Sequence, residues 1–265
     1  MSKAAISEQE LAARYLALPG LAQDLGHLAM GFFNNRESLN TRMKGTQDFI
    51  TEADGAVEAR FRALIASAFP GDSVMGEEMG GGNSDLLWII DPIDGTANFA
   101  RGDRVWCISI GFVVGGVPTL GLIYAPALDE TFLARRGGGA TMNGKPIRAA
   151  ETDAIEQATI EFGWSSRLPT KDYLDVVAGL FDTGAHVKRC ASGALGMAHV
   201  AMGRTDAYGE LHINAWDVAA GIVIASEAGA RINDFCTGDW LGDGNPILAT
   251  TPALWGPISR ACGVR

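Results

Sequence analysis

The chain has 265 residues, 47% of them apolar and 20% charged, proportions of an ordinary globular protein with enough length to bury one large core or two small ones. Its formal net charge of −10 speaks against nucleic acid and anionic membrane as partners, while a bound divalent cation can reverse the sign locally for a phosphorylated substrate. No window reaches the roughly 18 uninterrupted apolar residues of a membrane span, and MSKAAISEQELAARY lacks the apolar core of a secretory signal, so a cytoplasmic location is expected.

Ser7-Glu8-Gln9-Glu10 has the form of a capping box, which starts a helix running toward Ala17. Pro19-Gly20 is expected to interrupt it, with a second helical stretch reaching about Phe33. Val57, Phe61, Leu64, Ile65 and Ala68 recur at helical spacing, and Pro70-Gly71 ends that helix. The period then changes. Leu86–Asp91, Val105–Val114, Leu120–Ala125 and Glu130–Arg135 read as strands joined by short turns, which implies antiparallel hairpins. From about Ala150 helical and strand-like segments alternate, so the chain is expected to divide into residues 1–150, α+β with an antiparallel sheet, and residues 151–265, α/β. Cys107, Cys190, Cys236 and Cys262 are widely spaced with no CxxC pair, the pattern of reduced structural thiols and not of a zinc site. His27, His186, His199 and His212 are scattered and read as structural.

The stretch LLWIIDPIDGTANF, Leu86 to Phe99, places two carboxylates where an apolar strand stops. Pro92 removes a ladder donor, so the strand is expected to end at Asp91 and a bend to follow through Ile93 and Asp94. Gly95 permits a positive φ. Thr96-Ala97-Asn98-Phe99 then starts a helical turn whose N–H groups face whatever the two acids hold. Two carboxylates aimed at one point repel each other unless protonated or bridged by a cation, and hard oxygen ligands suit Mg²⁺ or Mn²⁺. A solvated Asp-Pro-Ile-Asp-Gly turn fits the same residues.

Further acids stand at the ends of core elements. Glu77 and Glu78 follow Ser73-Val74-Met75, where a solvated loop is the plain alternative. Asp54 opens the Val57–Ala68 helix, where capping is the ordinary job of an aspartate. Asp217 opens VAAGIVIASEAG, which is apolar on nearly all sides and therefore expected to be buried.

Taken together, these residues resemble the inositol monophosphatase family of Mg²⁺-dependent, lithium-sensitive phosphatases. The resemblance rests on Gly76-Glu77-Glu78, on Trp88-Ile89-Ile90-Asp91-Pro92-Ile93-Asp94-Gly95-Thr96-Ala97-Asn98-Phe99, and on Trp216-Asp217-Val218-Ala219-Ala220-Gly221, with Asp48-Phe49-Ile50-Thr51 and Asp54 upstream. It implies an α/β fold, an alternating αβαβα sandwich of the inositol monophosphatase/fructose-1,6-bisphosphatase type, and commonly a homodimer. It assigns Glu77, Asp91, the Ile93 carbonyl, Asp94 and Asp217 to two or three Mg²⁺ ions, with Mn²⁺ able to substitute and Li⁺ or Ca²⁺ inhibitory. Asp54 and Thr96, with Glu77, match the positions that orient the attacking water. Gly95 and Thr96 match the phosphate donors. Asp94, Gly193, Ala194, Glu210 and Asp217 face the organic part of a small phosphorylated polyol, although a surface-loop glutamate is the plain alternative for Glu210.

One departure concerns specificity. The family often shows Gly-Ser-Ala-Ala where this chain reads Ala191-Ser192-Gly193-Ala194-Leu195. Inositol 1-phosphate is the first expectation, and related proteins act on histidinol phosphate, fructose 1,6-bisphosphate or phosphoadenosine compounds. A rival from another class is a regulatory protein that keeps the site but acts through a transcription or ribosome partner. The chain retains every carboxylate the chemistry requires, together with Thr96, which favours the enzyme.

Overall fold

A computed structural model describes residues 6–35, 42–45, 48–50, 52–82 and 84–264, with backbone only for 42–45 and 48–50. Thr51 lies outside the described residues, and Asp48-Phe49-Ile50 is described as strand backbone alone. Helix α1 (Glu8–Asn34) opens on the capping box: Ser7 Oγ accepts the Glu10 N–H at 3.2 Å, and the Glu10 carboxylate accepts the Ser7 N–H at 2.9 Å. The expected break at Pro19-Gly20 is absent, for α1 runs through Pro19. Proline removes one helical hydrogen bond and crowds the turn before it. Leu18, Leu21, Ala22 and Leu25 are all buried around it, and tertiary packing of that face outweighs the local defect.

Strands β1 (Arg42–Gly45) and β2 (Asp48–Ile50) pair antiparallel, and α2 (Glu52–Ala68) follows. Then come β3 (Ser73–Gly76), β4 (Gly80–Gly81), β5 (Leu86–Asp94), α3 (Thr96–Arg101), β6 (Cys107–Val114), β7 (Val117–Ala125), β8 (Glu130–Arg135), β9 (Ala140–Met142) and β10 (Lys145–Pro146). They form one eight-stranded sheet in the order β10-β9-β8-β7-β6-β5-β3-β4, in which only β3 and β5 run parallel. Strand β5 does not end at Asp91. It continues to Asp94, which pairs with Cys107 across a register shift that begins after Asp91. A bulge leaves residues out of the ladder, so Pro92 needs no partner there, and fully buried Ile93 keeps the extended chain pressed on the core.

The remaining elements are β11 (Thr159–Phe162), α4 (Thr170–Asp182), β12 (His186–Lys188), α5 (Gly193–Ala201), β13 (Ala207–Ile213), α6 (Ala215–Glu227), β14 (Arg231–Ile232), β15 (Asn245–Thr250) and α7 (Trp255–Cys262). Their strands make a second sheet, β12-β11-β13-β15-β14. Helices α1 and α2 cover one face of the large sheet, α5 and α6 lie between the two sheets, and α4 and α7 cover the far face of the small one. The layering is αβαβα. All four cysteines are free thiols.

Helix α6 can approach the large sheet because Gly111 and Gly121 face each other across β6 and β7. A Cβ on Gly111 would lie 2.9 Å from that of Ala219, and one on Gly121 would overlap the Ala220 carbonyl. Removing side chains from these two positions lets helix backbone touch sheet backbone, and Ser109 Oγ ties the sheet to the Trp216 carbonyl at 3.2 Å. The close approach sets the N-terminal turn of α6, with Asp217 on it, against the end of β5. Gly121→Val should therefore destabilise the protein by about 1–3 kcal/mol, as overpacking does. A thermal melt checks this; an unchanged melting temperature would show that the helix can move away from the sheet without loss.

Candidate active site

Strand β5 carries the first two acids to the edge of the core. Asp91 is buried, and its Oδ1 accepts the Ile93 N–H at 2.9 Å across the bulge. Asp94, three residues on, turns its carboxylate to the start of α5. Its Oδ2 accepts from the Ser192 hydroxyl and the Ala194 N–H, each at 2.7 Å, and its Oδ1 accepts the Gly193 N–H at 3.2 Å. The Cys107 thiol stands 3.7 Å from Oδ2. Asp217 arrives on the first turn of α6 and accepts the Asn214 N–H at 3.0 Å. Each of Asp91, Asp94 and Asp217 offers an oxygen within 4.8 Å of the others.

That proximity is electrostatically costly. Burial pushes the Asp91 carboxyl well above the usual range, and the charges of Glu77, Asp94 and Asp217 push it further. Asp217 is raised to about 7, by burial first and then by Asp94, against the lowering effect of the Asn214 N–H. Burial raises Asp94 as well, opposed by its bonds from Ser192, Ala194, Gly193 and Cys107. Converging carboxylate oxygens with no imidazole among them form a hard donor set that fits a divalent cation such as Mg²⁺ or Mn²⁺, whose charge would remove the repulsion.

Gly95 takes a left-handed φ of 96° and turns the chain into α3. The Thr96 hydroxyl then lies 2.9 Å from the Ile93 carbonyl oxygen and 3.3 Å from Asp54 Oδ1. Asp54 sits inside the first turn of α2 and is fully buried, so it is not a solvated cap. Glu77 follows β3, and its N–H donates to the Ile90 carbonyl at 3.3 Å. Glu210 is on β13 and not in a surface loop; its Oε2 accepts the Tyr208 hydroxyl at 2.8 Å, and burial raises its carboxyl to about 8.

A cavity of about 240 Å³ opens onto these groups, with Glu77, Asp94, Thr96, Gly193, Glu210 and Asp217 in its wall and Gly95 beside them. Asp54, Asp91, Ile93 and Ala194 stand behind that lining. Ala194 is fully buried and gives its N–H to Asp94. Trp164 and Arg189 also line the cavity, the guanidinium 5.9 Å from the indole ring, and no motif in the sequence marks them. Ser192 as a partner of Asp94 and Glu58 as a buried acid are likewise findings of the structure. Only Glu58 carried a local signal, since it follows Asp54 by four residues on the same helical face.

The inositol monophosphatase family model matches residues 12–257. The chain belongs to this family. The Nus factor SuhB of Xylella fastidiosa is 36% identical over 217 residues, which cover 81% of this chain and 79% of that protein. The fructose-1,6-bisphosphatase/inositol-1-monophosphatase of Aquifex aeolicus is 34% identical over 202 residues, 74% of this chain and 76% of that one. Among solved structures, the extragenic suppressor protein suhB of Bartonella henselae superposes with a TM-score of 0.88 at 28% identity, over 94% of this chain and 98% of the other. The αβαβα sandwich is thus the architecture of the inositol monophosphatase family. Among the described residues no helix is long and apolar enough to cross a membrane.

The raised carboxyl groups predict how the metal-free protein responds to pH. Near neutrality the folded chain holds protons that the unfolded chain has lost. Its stability therefore falls as pH rises from about 4, the ordinary aspartate value, through about 7, the value reached by Asp217, and on through about 8, the value reached by Glu210. Asp217→Asn should flatten this decline. Urea melts of both proteins in EDTA at pH 5, 6 and 7 measure it, and equal slopes would show that Asp217 holds no extra proton in the folded state.

Proposed function

We propose that the chain is a Mg²⁺-dependent phosphatase that hydrolyses a small phosphate monoester, with myo-inositol 1-phosphate, giving inositol and phosphate, as the first substrate. The observation that carries this reading is the convergence of Asp91, Asp94 and Asp217 beside the Asp54–Thr96 pair, with Asp94, Thr96 and Asp217 in the wall of one cavity. Divalent cations held by Asp91, Asp94, Asp217, the Ile93 carbonyl and Glu77 would offset the charge of the phosphate and acidify a water toward neutral pH. Asp54 and Thr96 would orient that water. The threonine has one proton to share between the Ile93 carbonyl and Asp54, so its lone pairs can accept from the nucleophile, as can the Asp54 carboxylate. The N–H groups of Gly95 and Thr96 would bind the phosphate.

The organic part would lie against Gly193, Ala194, Glu210, Asp94 and Asp217. Glu210, with its carboxyl near 8, can donate to a substrate hydroxyl while it accepts from Tyr208. On this reading residues 1–150 and 151–265 act as two subdomains, the first supplying Glu77, Asp91 and Asp94 and the second Glu210 and Asp217. A cytoplasmic homodimer inhibited by Li⁺ or Ca²⁺ completes the proposal. A second reading follows from the relative named a Nus factor: on it the chain acts through a protein partner and releases no phosphate. The family model and the Aquifex relative support the enzyme.

Purified protein should release phosphate from inositol 1-phosphate in Mg²⁺ and fall silent in excess EDTA; full activity in EDTA would end the metal-dependent reading. A panel of histidinol phosphate, fructose 1,6-bisphosphate and phosphoadenosine esters then ranks the substrates. Thr96→Ala and Asp54→Asn should each lower kcat by about 10²–10⁴, the usual scale of a positioned acid–base group. Asparagine keeps the shape of aspartate and one accepting oxygen while removing the charge. Near-normal turnover in Asp54→Asn would therefore leave the residue only a structural part.

A further inference from the structure

Helix α2 carries a second buried acid one turn beyond Asp54. Glu58 has no exposed surface, and a charge so placed is costly unless its oxygens are bonded. Its carboxylate accepts backbone N–H groups from the turn between β3 and β4. Oε2 accepts the Glu78 N–H at 2.8 Å, and the Met79 N–H is shared between Oε1 at 3.2 Å and Oε2 at 3.4 Å. Arg62, one helical turn further on, donates to Oε1 through Nε at 2.9 Å and Nη2 at 2.7 Å. The same guanidinium reaches the Val74 carbonyl at 3.2 Å on one leg of the hairpin and the Gly80 carbonyl on the other.

Contact with Gly76 closes the cradle. A Cβ there would lie 2.6 Å from Glu58 Oε2 and nearer still to the rest of the carboxylate, so only glycine lets the acid sit against the chain at this point. Glu58 therefore touches the residue before Glu77 and the two residues after it. Glu77 itself is left to point into the cavity, with its N–H on the Ile90 carbonyl of β5. A turn at the surface has no need of such a partner, since water can satisfy its amides; Met79 is 51% exposed. Burying a carboxylate beneath it makes sense where the turn must be held in one place.

We propose that Glu58 is a positioning residue: it fixes Glu77 relative to Asp91, and so sets the affinity of the carboxylate site for a divalent cation. This rests on the metal-dependent reading above and adds to it. One rigid helix then places two parts of the site, Asp54 directly and Glu77 through the turn. Glu58 itself touches neither cation nor substrate.

The test is Glu58→Gln in the full chain. The amide keeps the shape, but its NH₂ must face either Arg62 or the turn amides, so bonds on one side are lost. Calorimetry should find Mn²⁺ bound about 10–100-fold more weakly, the scale for losing a partner behind a metal ligand. In EDTA, hydrogen exchange at the Glu78 and Met79 amides should quicken, while kcat at saturating Mn²⁺ stays within a few fold of wild type. Ile65→Ala, a core truncation on the same helix, should lower the melting temperature and leave Mn²⁺ affinity unchanged. Should Glu58→Gln not fold, Gly76→Ala displaces the same contact and should weaken Mn²⁺ likewise. Wild-type Mn²⁺ affinity in the folded variant would overturn the proposal and leave Glu58 a purely structural acid. If the wild type itself binds no Mn²⁺, the metal-dependent reading falls, and this proposal with it.

Discussion

Asp91, Asp94 and Asp217 are like charges gathered where burial already resists ionisation, and much of the surrounding architecture serves to make that gathering tolerable. Each carboxylate is met by at least one backbone N–H: Ile93 for Asp91, Gly193 and Ala194 for Asp94, Asn214 for Asp217. The donors for Asp94 and Asp217 belong to the starts of α5 and α6, where helix ends carry partial positive charge. Two helices packed between two sheets thus aim their positive ends at one point. The layering of the fold and the placement of the acids are one arrangement.

Delivery of those helix ends depends on small residues. Gly111 and Gly121 bring α6 onto the large sheet, and a Cβ on Gly221 would lie 2.9 Å from Met197 Cγ, so α5 and α6 are themselves tightly seated. Since a shift of the helix by the width of a methyl group would carry Asp217 with it, the glycines far from the cavity bear on its geometry as much as its own lining does.

The site was legible in the sequence where chemistry is local. LLWII ends in acids that a core strand would not tolerate without a purpose, and the apolar run after Asp217 marked a buried helix with a carboxylate at its head. The strand's continuation through Pro92 was hidden because a bulge is a property of pairing between β5 and β6 and not of either segment alone. Pro19 misled for a similar reason: its cost is local, while the compensation comes from the sheet packed against Leu18 and Leu25. Ser192 stands within a departure from the family's usual residues, but nothing in Ala191-Ser192-Gly193 announces that its hydroxyl ends on the aspartate that closes β5. Glu58 stood in plain view at helical spacing from Asp54, in a segment where a glutamate on a helix is too ordinary to attract notice.

The bonds from Ser192 and Ala194 to Asp94 span 98 and 100 residues of sequence. During synthesis, which runs from the N-terminus, β5 and its two acids leave the ribosome long before the donors that steady Asp94 exist. The strands of the large sheet all precede α5 and α6 in the chain, so its acidic edge gains its covering donors only when those helices arrive. Completion of the carboxylate cluster is in this sense a late event in the life of the nascent chain, and the same interactions that build the cavity also record that the second half has folded onto the first.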